Sequence, residues 1–318
     1  MSSEIDLDAA AARLAGVVRR TPVLRSRLLD ERVGAEVHLK AEHLQRTGAF
    51  KFRGAFNAIA ALPNSVRQLG IISYSSGNHA QAVARAAQLF AVPSTIVMPT
   101  DAPHSKRAAT ESYGAEIISY DRYTQRREDI AAEVVQDRDL TLIPPFDHPD
   151  VIAGQSTCTQ ELFEDSGPLD QLIVPVGGGG LISGSALAAH RENKKCEIVG
   201  VEPDSGNDVQ LSLREGRIIE IDVPETIADG QQTTSPGVHT FAVMQQHVTE
   251  IATVSDDQIL DAMDYLFRFQ KQTVEPSGAC ALAALLAGAV KPAGNRIGVI
   301  LSGGNISPER FVELMGQH

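Results

Sequence analysis

Lys51 is the residue with the clearest capacity for covalent chemistry, because it lies in the apolar segment Ala49-Phe50-Lys51-Phe52. Burial lowers the pKa of a lysine, since it penalises the charged form, and the neutral amine is then a nucleophile. Such an amine forms a Schiff base with an aldehyde cofactor. The same pattern is also typical of a surface lysine whose stem is buried. Lys51 alone therefore leaves both interpretations open.

A run of four glycines, Gly177-Gly178-Gly179-Gly180, is a candidate anion site. It joins an apolar strand-like segment, residues 171–176, to a helix-like segment, and its backbone amides would point at a phosphate at the helix N-terminus. A Walker A loop requires Lys where Ser185 stands. A dinucleotide fingerprint requires a third glycine where Ser183 stands, so that alternative is weak but remains open. A tight turn that binds nothing is the remaining alternative.

Two further strand ends carry polar residues that a phosphorylated aldehyde cofactor needs. Ser302-Gly303-Gly304-Asn305 follows the apolar residues 298–301, and Ser302 could offer a neutral hydroxyl to a pyridine nitrogen. Ser75-Ser76-Gly77-Asn78-His79 follows residues 71–74, and Asn78 could bond the ring hydroxyl. With the glycine run and Lys51, these segments together favour a Schiff-base cofactor that carries a phosphate.

The elements that must position these residues alternate between short β-branched runs and Ala-rich stretches. This rhythm predicts parallel strands with helices on both faces, and ligands bind at the carboxyl ends of such strands. The predicted strands are residues 71–74, 94–98, 116–119, 171–176, 197–201 and 298–301, and the predicted helices are 79–89, 105–113, 124–136 and 181–190. We expect two α/β lobes, with Pro-rich turns at residues 62–64 and 143–145 as candidate boundaries.

Composition excludes several other classes of protein. The net charge of −12 argues against nucleic-acid binding, and the absence of Trp argues against a base-stacking surface. The apolar run at residues 279–290 is too short to span a membrane, and no secretory signal is visible at the N-terminus. Three widely spaced cysteines are typical of reduced, buried thiols. We therefore expect a cytoplasmic protein without nucleic-acid or membrane partners.

These motifs resemble those of the fold type II pyridoxal-5′-phosphate (PLP) enzymes. Residues 47–55, Thr-Gly-Ala-Phe-Lys-Phe-Arg-Gly-Ala, are similar to the family's lysine segment S-F-K-x-R-G-A, with Ala49 in place of the common Ser. Residues 75–81 resemble the dehydratase and racemase form of the substrate loop, whereas cysteine synthases have T-S-G-N-T-G. Met98-Pro99, Ala102-Pro103 and Lys106 match as well. The resemblance to the serine/threonine dehydratase and serine racemase branch runs over nearly the whole chain.

The resemblance implies a two-lobed α/β fold of the tryptophan synthase β type, with parallel-rich sheets flanked by helices. Residues 1–69 and 148–318 would form a large PLP-binding domain, and residues 70–147 a small mobile domain. It also implies a homodimer or a homotetramer.

The resemblance further implies roles for the cofactor-binding residues. Lys51 would hold PLP as a Schiff base and remove the Cα proton of the substrate. Phe50 would pack beside the cofactor ring, and Asn78 would bond the ring oxygen. The phosphate would be held by Gly177, Gly178, Gly179, Gly180 and Leu181. Ser302 would face the pyridine nitrogen, where a neutral hydroxyl suits β-elimination.

The substrate carboxylate would be received by the loop Ser75, Ser76, Gly77, Asn78 and His79. In racemases of this branch the residue matching Ser76 is a second acid/base on the face opposite the lysine, so Ser76 is a catalytic candidate. His79 titrates near neutrality and could be a base, although a residue that opens the helix and shapes the loop is the interpretation we favour. Glu275 could reach the cofactor edge or cap a helix.

Glu202, Gly206 and Asp208 resemble a divalent-cation site of this branch, formed by two carboxylates and one backbone carbonyl. Oxygen ligands of this kind suit Mg²⁺, Ca²⁺ or Mn²⁺. An acidic loop without an ion is the alternative.

The combined prediction is a PLP-dependent ammonia-lyase that converts L-threonine or L-serine into a 2-oxo acid and ammonia. Serine racemase and a dehydratase of another 3-hydroxy amino acid, such as hydroxyaspartate, are the alternatives within the family. Residues 231–237 do not decide the side-chain specificity. A nicotinamide oxidoreductase and a binding protein without catalysis are less favoured alternatives, and the presence of Lys51 argues against the latter.

Overall fold

The chain, seen in a computed structural model that describes residues 5–317, folds around two sheets. The first has six strands in the order β1-β2-β10-β7-β8-β9. It consists of β1 (Val23–Leu24), β2 (Glu36–Ala41), β7 (Gln171–Pro175), β8 (Glu197–Pro203), β9 (Glu250–Val254) and β10 (Arg296–Leu301). Only the β1–β2 pair is antiparallel among these neighbours.

The second sheet has four strands, all parallel, in the order β5-β4-β3-β6. It consists of β3 (Ile71–Tyr74), β4 (Ser94–Pro99), β5 (Glu116–Tyr120) and β6 (Thr141–Leu142). All four strands lie between residues 71 and 142. The predicted α/β class with parallel-rich sheets is confirmed.

Fourteen helices are seen within the described residues. They are α1 (Leu7–Leu14), α2 (Arg27–Val33), α3 (Lys51–Ala61), α4 (Asn64–Arg67), α5 (Asn78–Leu89), α6 (His104–Ser112), α7 (Arg127–Arg138), α8 (Pro149–Ser166), α9 (Gly180–Glu192), α10 (Asp208–Glu215), α11 (Val238–His247), α12 (Asp256–Tyr265), α13 (Pro276–Leu286) and α14 (Pro308–Gln317). Short 3₁₀ turns cover Glu42–Leu44, Arg46–Gly48, Asp204–Gly206 and Asp229–Gln231, and a π turn covers Leu266–Gln270.

The apolar runs became strands because both of their faces are covered by helices. Every residue of β4 and β7 is buried, as expected for parallel strands between two helical layers. Several predicted boundaries differ by one or two residues, and the start of α7 differs by three, at Arg127 rather than Thr124. The amides of Thr124 and Gln125 donate instead to the carbonyl of Asp121, which forms a turn before the helix.

The cysteines Cys158, Cys196 and Cys280 are buried free thiols. Within residues 5–317, no helix combines the length and the apolar character that a membrane span requires.

The ends of three strands bring the candidate residues together. β3 leads into residues 75–79, β7 leads into the glycine run, and β10 leads into Ser302. The segment before α3 pairs with the end of β10, since Ala49 forms a bridge with Gly303 and the amide of Phe50 donates to the carbonyl of Ser302 at 3.0 Å. This pairing places Lys51, the first residue of α3, beside the last strand of the large sheet.

Candidate active site

A cavity of about 370 Å³ lies where these strand ends meet. All of the residues predicted to bind the cofactor or the substrate line it, although they come from separate parts of the chain. They are Phe50, Lys51, Ser75, Ser76, Gly77, Asn78, His79, Gly177, Gly178, Gly179, Gly180, Leu181 and Ser302. The geometry therefore assembles one site from the motifs that the sequence presents separately.

The amine of Lys51 reaches into this cavity. Its Nζ donates to the carbonyl of Pro145 at 2.7 Å and lies 5.2 Å from the centre of the Phe50 ring. Burial lowers the pKa of Lys51 to about 8. The neutral amine, which a nucleophile or proton acceptor requires, is therefore much more populated near neutral pH than in an ordinary lysine.

An ionic network centred on Arg53 lies in the first turn of α3, two residues after Lys51. Arg53 is bound to Glu42 at 2.8 Å and to Glu161 at 2.7 Å, and Lys40 is bound to Glu161 at 2.7 Å. Burial alone would raise the pKa of Glu42, but the charge of Arg53 and its hydrogen bond, with the charge of Lys40 and the hydrogen bond from Thr21, together outweigh burial and lower the pKa. Two cations thus balance two carboxylates, and the network holds the first turn of α3 in place.

The glycine run forms a tight turn at the N-terminus of α9. Gly179 has φ of 93°, a left-handed conformation that favours glycine. A side chain on Gly178 would overlap the ring of Phe146, and one on Gly179 would lie 2.8 Å from Met244. Among the described residues, no group accepts a hydrogen bond from the amides of Gly177, Gly178 and Gly179. These free amides at a helix N-terminus suit a phosphate.

Ser302 and Asn78, the two residues expected to contact the cofactor ring, both line the cavity. Ser302 Oγ is buried and donates to the carbonyl of Ser277 at 3.4 Å. Asn78 Nδ2 donates to Glu275 Oε1 at 2.5 Å, and Asn78 Oδ1 accepts from Asn305 at 2.8 Å. The amide of Asn78 is therefore fixed by two partners.

The loop at residues 75–79 connects β3 to α5. Ser75 Oγ accepts from the amide of Gly77 at 3.2 Å, and Ser76 is half-buried in the cavity wall. The imidazole of His79 contacts the carbonyl of Ile143 at 3.0 Å. Burial and the charge of Lys51 lower the pKa of His79 to about 3, so the ring is neutral in the working pH range. A neutral ring bound to the backbone suits a structural role for His79.

The cavity also holds charged groups that the sequence did not identify as a set. Lys106, Asp229 and Glu275 form an ion-pair cluster that lines the cavity. Three arginines, Arg122, Arg126 and Arg127, line it as well. Lys106 and Glu275 stand out in the sequence motifs, whereas Asp229 and the arginines carry no local signal.

The predicted cation residues lie apart from this cavity, after β8. Glu202 is buried and accepts from the amides of Val209 at 3.0 Å and Gln210 at 2.9 Å. Asp208 is buried too, and neither of its carboxylate oxygens makes a hydrogen bond of ordinary geometry. Burial raises the pKa of Asp208 to about 7.

Gly206 is buried in the 3₁₀ turn between these two carboxylates. Within residues 5–317, no cluster of three His, Cys, Asp or Glu side chains could hold a metal. A cation here would need a backbone carbonyl as its third protein ligand.

The residues of the cavity fit PLP. The site offers an amine with a lowered pKa, unpartnered amides for a phosphate, and a buried hydroxyl and an amide for the ring.

Comparisons with known proteins agree with this fit. Residues 14–303 match the family model described as pyridoxal-phosphate dependent enzyme. The chain is 49% identical over 315 residues to an L-threo-3-hydroxyaspartate ammonia-lyase of Pseudomonas sp., covering 99% of both proteins. It is 47% identical over 312 residues to a serine racemase of Schizosaccharomyces pombe, covering 98% of this chain and 97% of that protein.

The solved structure of maize serine racemase superposes with a TM-score of 0.93 at 40% identity, covering 99% of this chain and 98% of that one. Both the sequence and the fold match along the whole length. The chain therefore belongs to the fold type II family of pyridoxal-phosphate-dependent enzymes, among the ammonia-lyases and serine racemases.

Proposed function

We propose that the protein is an ammonia-lyase that removes water from L-threo-3-hydroxyaspartate in preference to L-threonine and L-serine. The products would be oxaloacetate and ammonia, since the enamine left by loss of water hydrolyses to the 2-oxo acid. The observation that carries the proposal is the cluster of three arginines at the cavity, because hydroxyaspartate has a second carboxylate that threonine and serine lack. The 49% identity to a relative of that activity supports it.

The arginines differ in what they already bind. Arg122 pairs with Asp101 at 2.8 Å. Arg127 pairs with Glu128 at 2.8 Å and lies over the ring of Tyr74 at 5.0 Å. Arg126 is exposed, and none of the described residues forms an ion pair with it. Arg126 and Arg127, adjacent at the start of α7, are thus the cations best placed for a second carboxylate.

The protein groups have separate tasks in this reaction. PLP, when bound, supplies an electron-withdrawing ring that makes the Cα proton of an amino acid acidic. Lys51, whose pKa is about 8, takes that proton at Nζ. The loop at residues 75–79 binds the α-carboxylate at the N-terminus of α5. When PLP is bound, Ser302 would offer its pyridine nitrogen a neutral hydroxyl in place of an acidic partner, which suits elimination.

A panel of substrates tests the proposal. We expect kcat/KM for 2-oxo acid release from L-threo-3-hydroxyaspartate to exceed the values for L-threonine and L-serine by roughly 10-fold or more, the effect of one charge-assisted hydrogen bond. L-threo-3-hydroxyaspartate that is turned over no faster than L-serine would overturn the preference. Turnover of none of the three would overturn the ammonia-lyase assignment.

Racemisation of serine is a second candidate, favoured by Ser76 in the cavity wall and by the 47% identity to a serine racemase. A Ser76→Ala variant would then lose formation of D-serine while elimination of water continues. Chiral analysis of the leftover serine measures formation of D-serine, and release of 2-oxo acid measures elimination of water. Equal loss of both would show that Ser76 is not a dedicated second acid/base.

We further propose a divalent cation at Glu202, Asp208 and the Gly206 carbonyl. Two buried carboxylates without a neighbouring cation are unfavourable, and an ion would satisfy the oxygens of Asp208. Mg²⁺, Ca²⁺ or Mn²⁺ at about 100 times its Kd should stabilise the fold by about 2.7 kcal/mol. A thermal unfolding series after treatment with a chelator measures this, with Asp208→Asn as the control. An unchanged midpoint in the wild type would count against the site.

A further inference from the structure

Lys106 forms an ion-pair cluster across the cavity. It belongs to α6, on the four-stranded sheet, and its Nζ pairs with Asp229 in the turn Asp229–Gln231. The same Nζ lies 3.9 Å from Glu275 Oε2. Asp229 and Glu275 both belong to the part of the chain around the six-stranded sheet. The cluster therefore joins the two sides of the cavity.

Glu275 connects this cluster to the cofactor side of the cavity. Its Oε1 accepts from Asn78, and its amide donates to the carbonyl of Gly303 at 3.2 Å. The side chain is 2% exposed, and Oε2 makes no hydrogen bond within the described residues. Lys106 is thus the nearest group that can neutralise Oε2.

We propose that Lys106 is a positioning residue: its charge, 3.9 Å from Glu275 Oε2, favours the ionised form of Glu275, which accepts from Asn78 and holds that amide in its working orientation. An ionised carboxylate only accepts hydrogen bonds, whereas a protonated one is also a donor. The bond from Asn78 is stronger when its acceptor is charged. Ionisation of Glu275 therefore decides how firmly Asn78 is held.

The charges around Glu275 act in opposite directions. Burial raises the pKa of Glu275 to about 7, Lys106 lowers it, and Asp229 raises it. Burial alone would lower the pKa of Lys106, but Asp229 and Glu275 outweigh this and raise it, so Lys106 remains charged. The imidazole of His79, the residue after Asn78, contacts the carbonyl of Ile143 and not Glu275. Lys106 and Asp229 are thus the charged groups, among the described residues, that control Glu275.

Two substitutions should consequently shift the pKa of Glu275 in opposite directions. Lys106→Met removes the favourable charge, so the pKa of Glu275 should rise. Asp229→Asn removes the unfavourable charge, so the pKa of Glu275 should fall. Each shift should be about 1 pH unit or more, as for a charge about 4–6 Å away. A role that is only structural would not produce shifts of opposite sign.

The test is a ¹³C NMR titration of the holoenzyme with glutamate labelled at the side-chain carboxyl. The Glu275 signal is assigned by its loss in Glu275→Gln. The midpoint should rise in Lys106→Met, fall in Asp229→Asn and remain near the wild-type value in Lys106→Arg. No substrate is present, so the result is independent of the proposed hydroxyaspartate preference.

Turnover supplies a second readout. The acid limb of the pH profile of kcat/KM should shift with the titration midpoint of Glu275 in each variant. In Lys106→Arg, this limb should lie at its wild-type pH. Unshifted midpoints in Asp229→Asn, or shifts of the same sign in both charge-removing variants, would overturn the proposal. If Lys106→Met does not fold, Asp229→Asn and Lys106→Arg still decide it.

Discussion

The two sides of the cavity are built differently. The side around the six-stranded sheet carries Lys51, the glycine run and Ser302 on the ends of buried elements, backed by the balanced network around Arg53. The side around the four-stranded sheet carries the loop 75–79, Lys106 and the arginines of α7, a helix that has Ala131 as its buried residue. The residues expected to carry the chemistry common to all the substrates thus lie mostly on buried elements, and the arginines that we propose select the substrate lie on a more exposed helix.

This difference has a physical basis. A proton acceptor must be held in one place, and buried elements with satisfied charges provide that. Substrate selection requires contacts that can change without loss of the fold, and exposed side chains provide that. Substitutions on the two sides should therefore have different consequences for chemistry, stability and specificity.

The largest effect is expected for Lys51→Ala. Loss of the amine should reduce 2-oxo acid release by roughly 10³-fold for every substrate, within the range for a general base. Circular dichroism and thermal unfolding should show an intact fold, since Lys51 makes one hydrogen bond to Pro145. A variant that retained wild-type turnover would contradict the role of Lys51.

Arg53→Met tests the rigidity of the same side. It leaves Glu42 buried without its main partner, which should lower the free energy of unfolding by about 3–5 kcal/mol. Arg107→Met is the matched control, because Arg107 makes a surface pair with Glu111 at 3.1 Å on α6. The control should change stability by less than about 1 kcal/mol. Denaturant unfolding measures both, and equal losses would contradict the contrast between the two sides.

A smaller and more selective effect is expected from Arg126→Gln and Arg127→Gln. Each should reduce kcat/KM for L-threo-3-hydroxyaspartate by about 10-fold or more, while turnover of L-serine changes little. Arg138→Gln is the control, since Arg138 lies in the last turn of α7 and pairs with Glu116. Equal losses for both substrates would assign the arginines to stability or to the α-carboxylate instead.

The sequence predicted the parts of this arrangement that depend on local patterns. β3 is found at the predicted residues 71–74, because a short, isoleucine-rich apolar run between turns favours a strand. β6 has two residues and no period to detect, so it was missed. The start of α7 was predicted three residues early, because the turn at Asp121 competes for the same amides.

Long-range contacts explain what the sequence could not show. Lys106 and Asp229 are 123 residues apart, and nothing in either segment predicts that they meet. The burial of Arg53 with Glu42 and Glu161 depends likewise on three separate elements. By contrast, two local features are visible in the residues themselves. The glycine run allows a close approach of the backbone, and the segment around Lys51 is apolar.

Lys51 is expected to hold PLP at the end of the six-stranded sheet. Borohydride reduction of the purified holoenzyme, followed by peptide mapping, tests it most directly. We expect a pyridoxyl group on the peptide that contains Lys51, and no labelled peptide in Lys51→Ala. A label on another lysine, or a protein that binds no PLP on reconstitution, would contradict it.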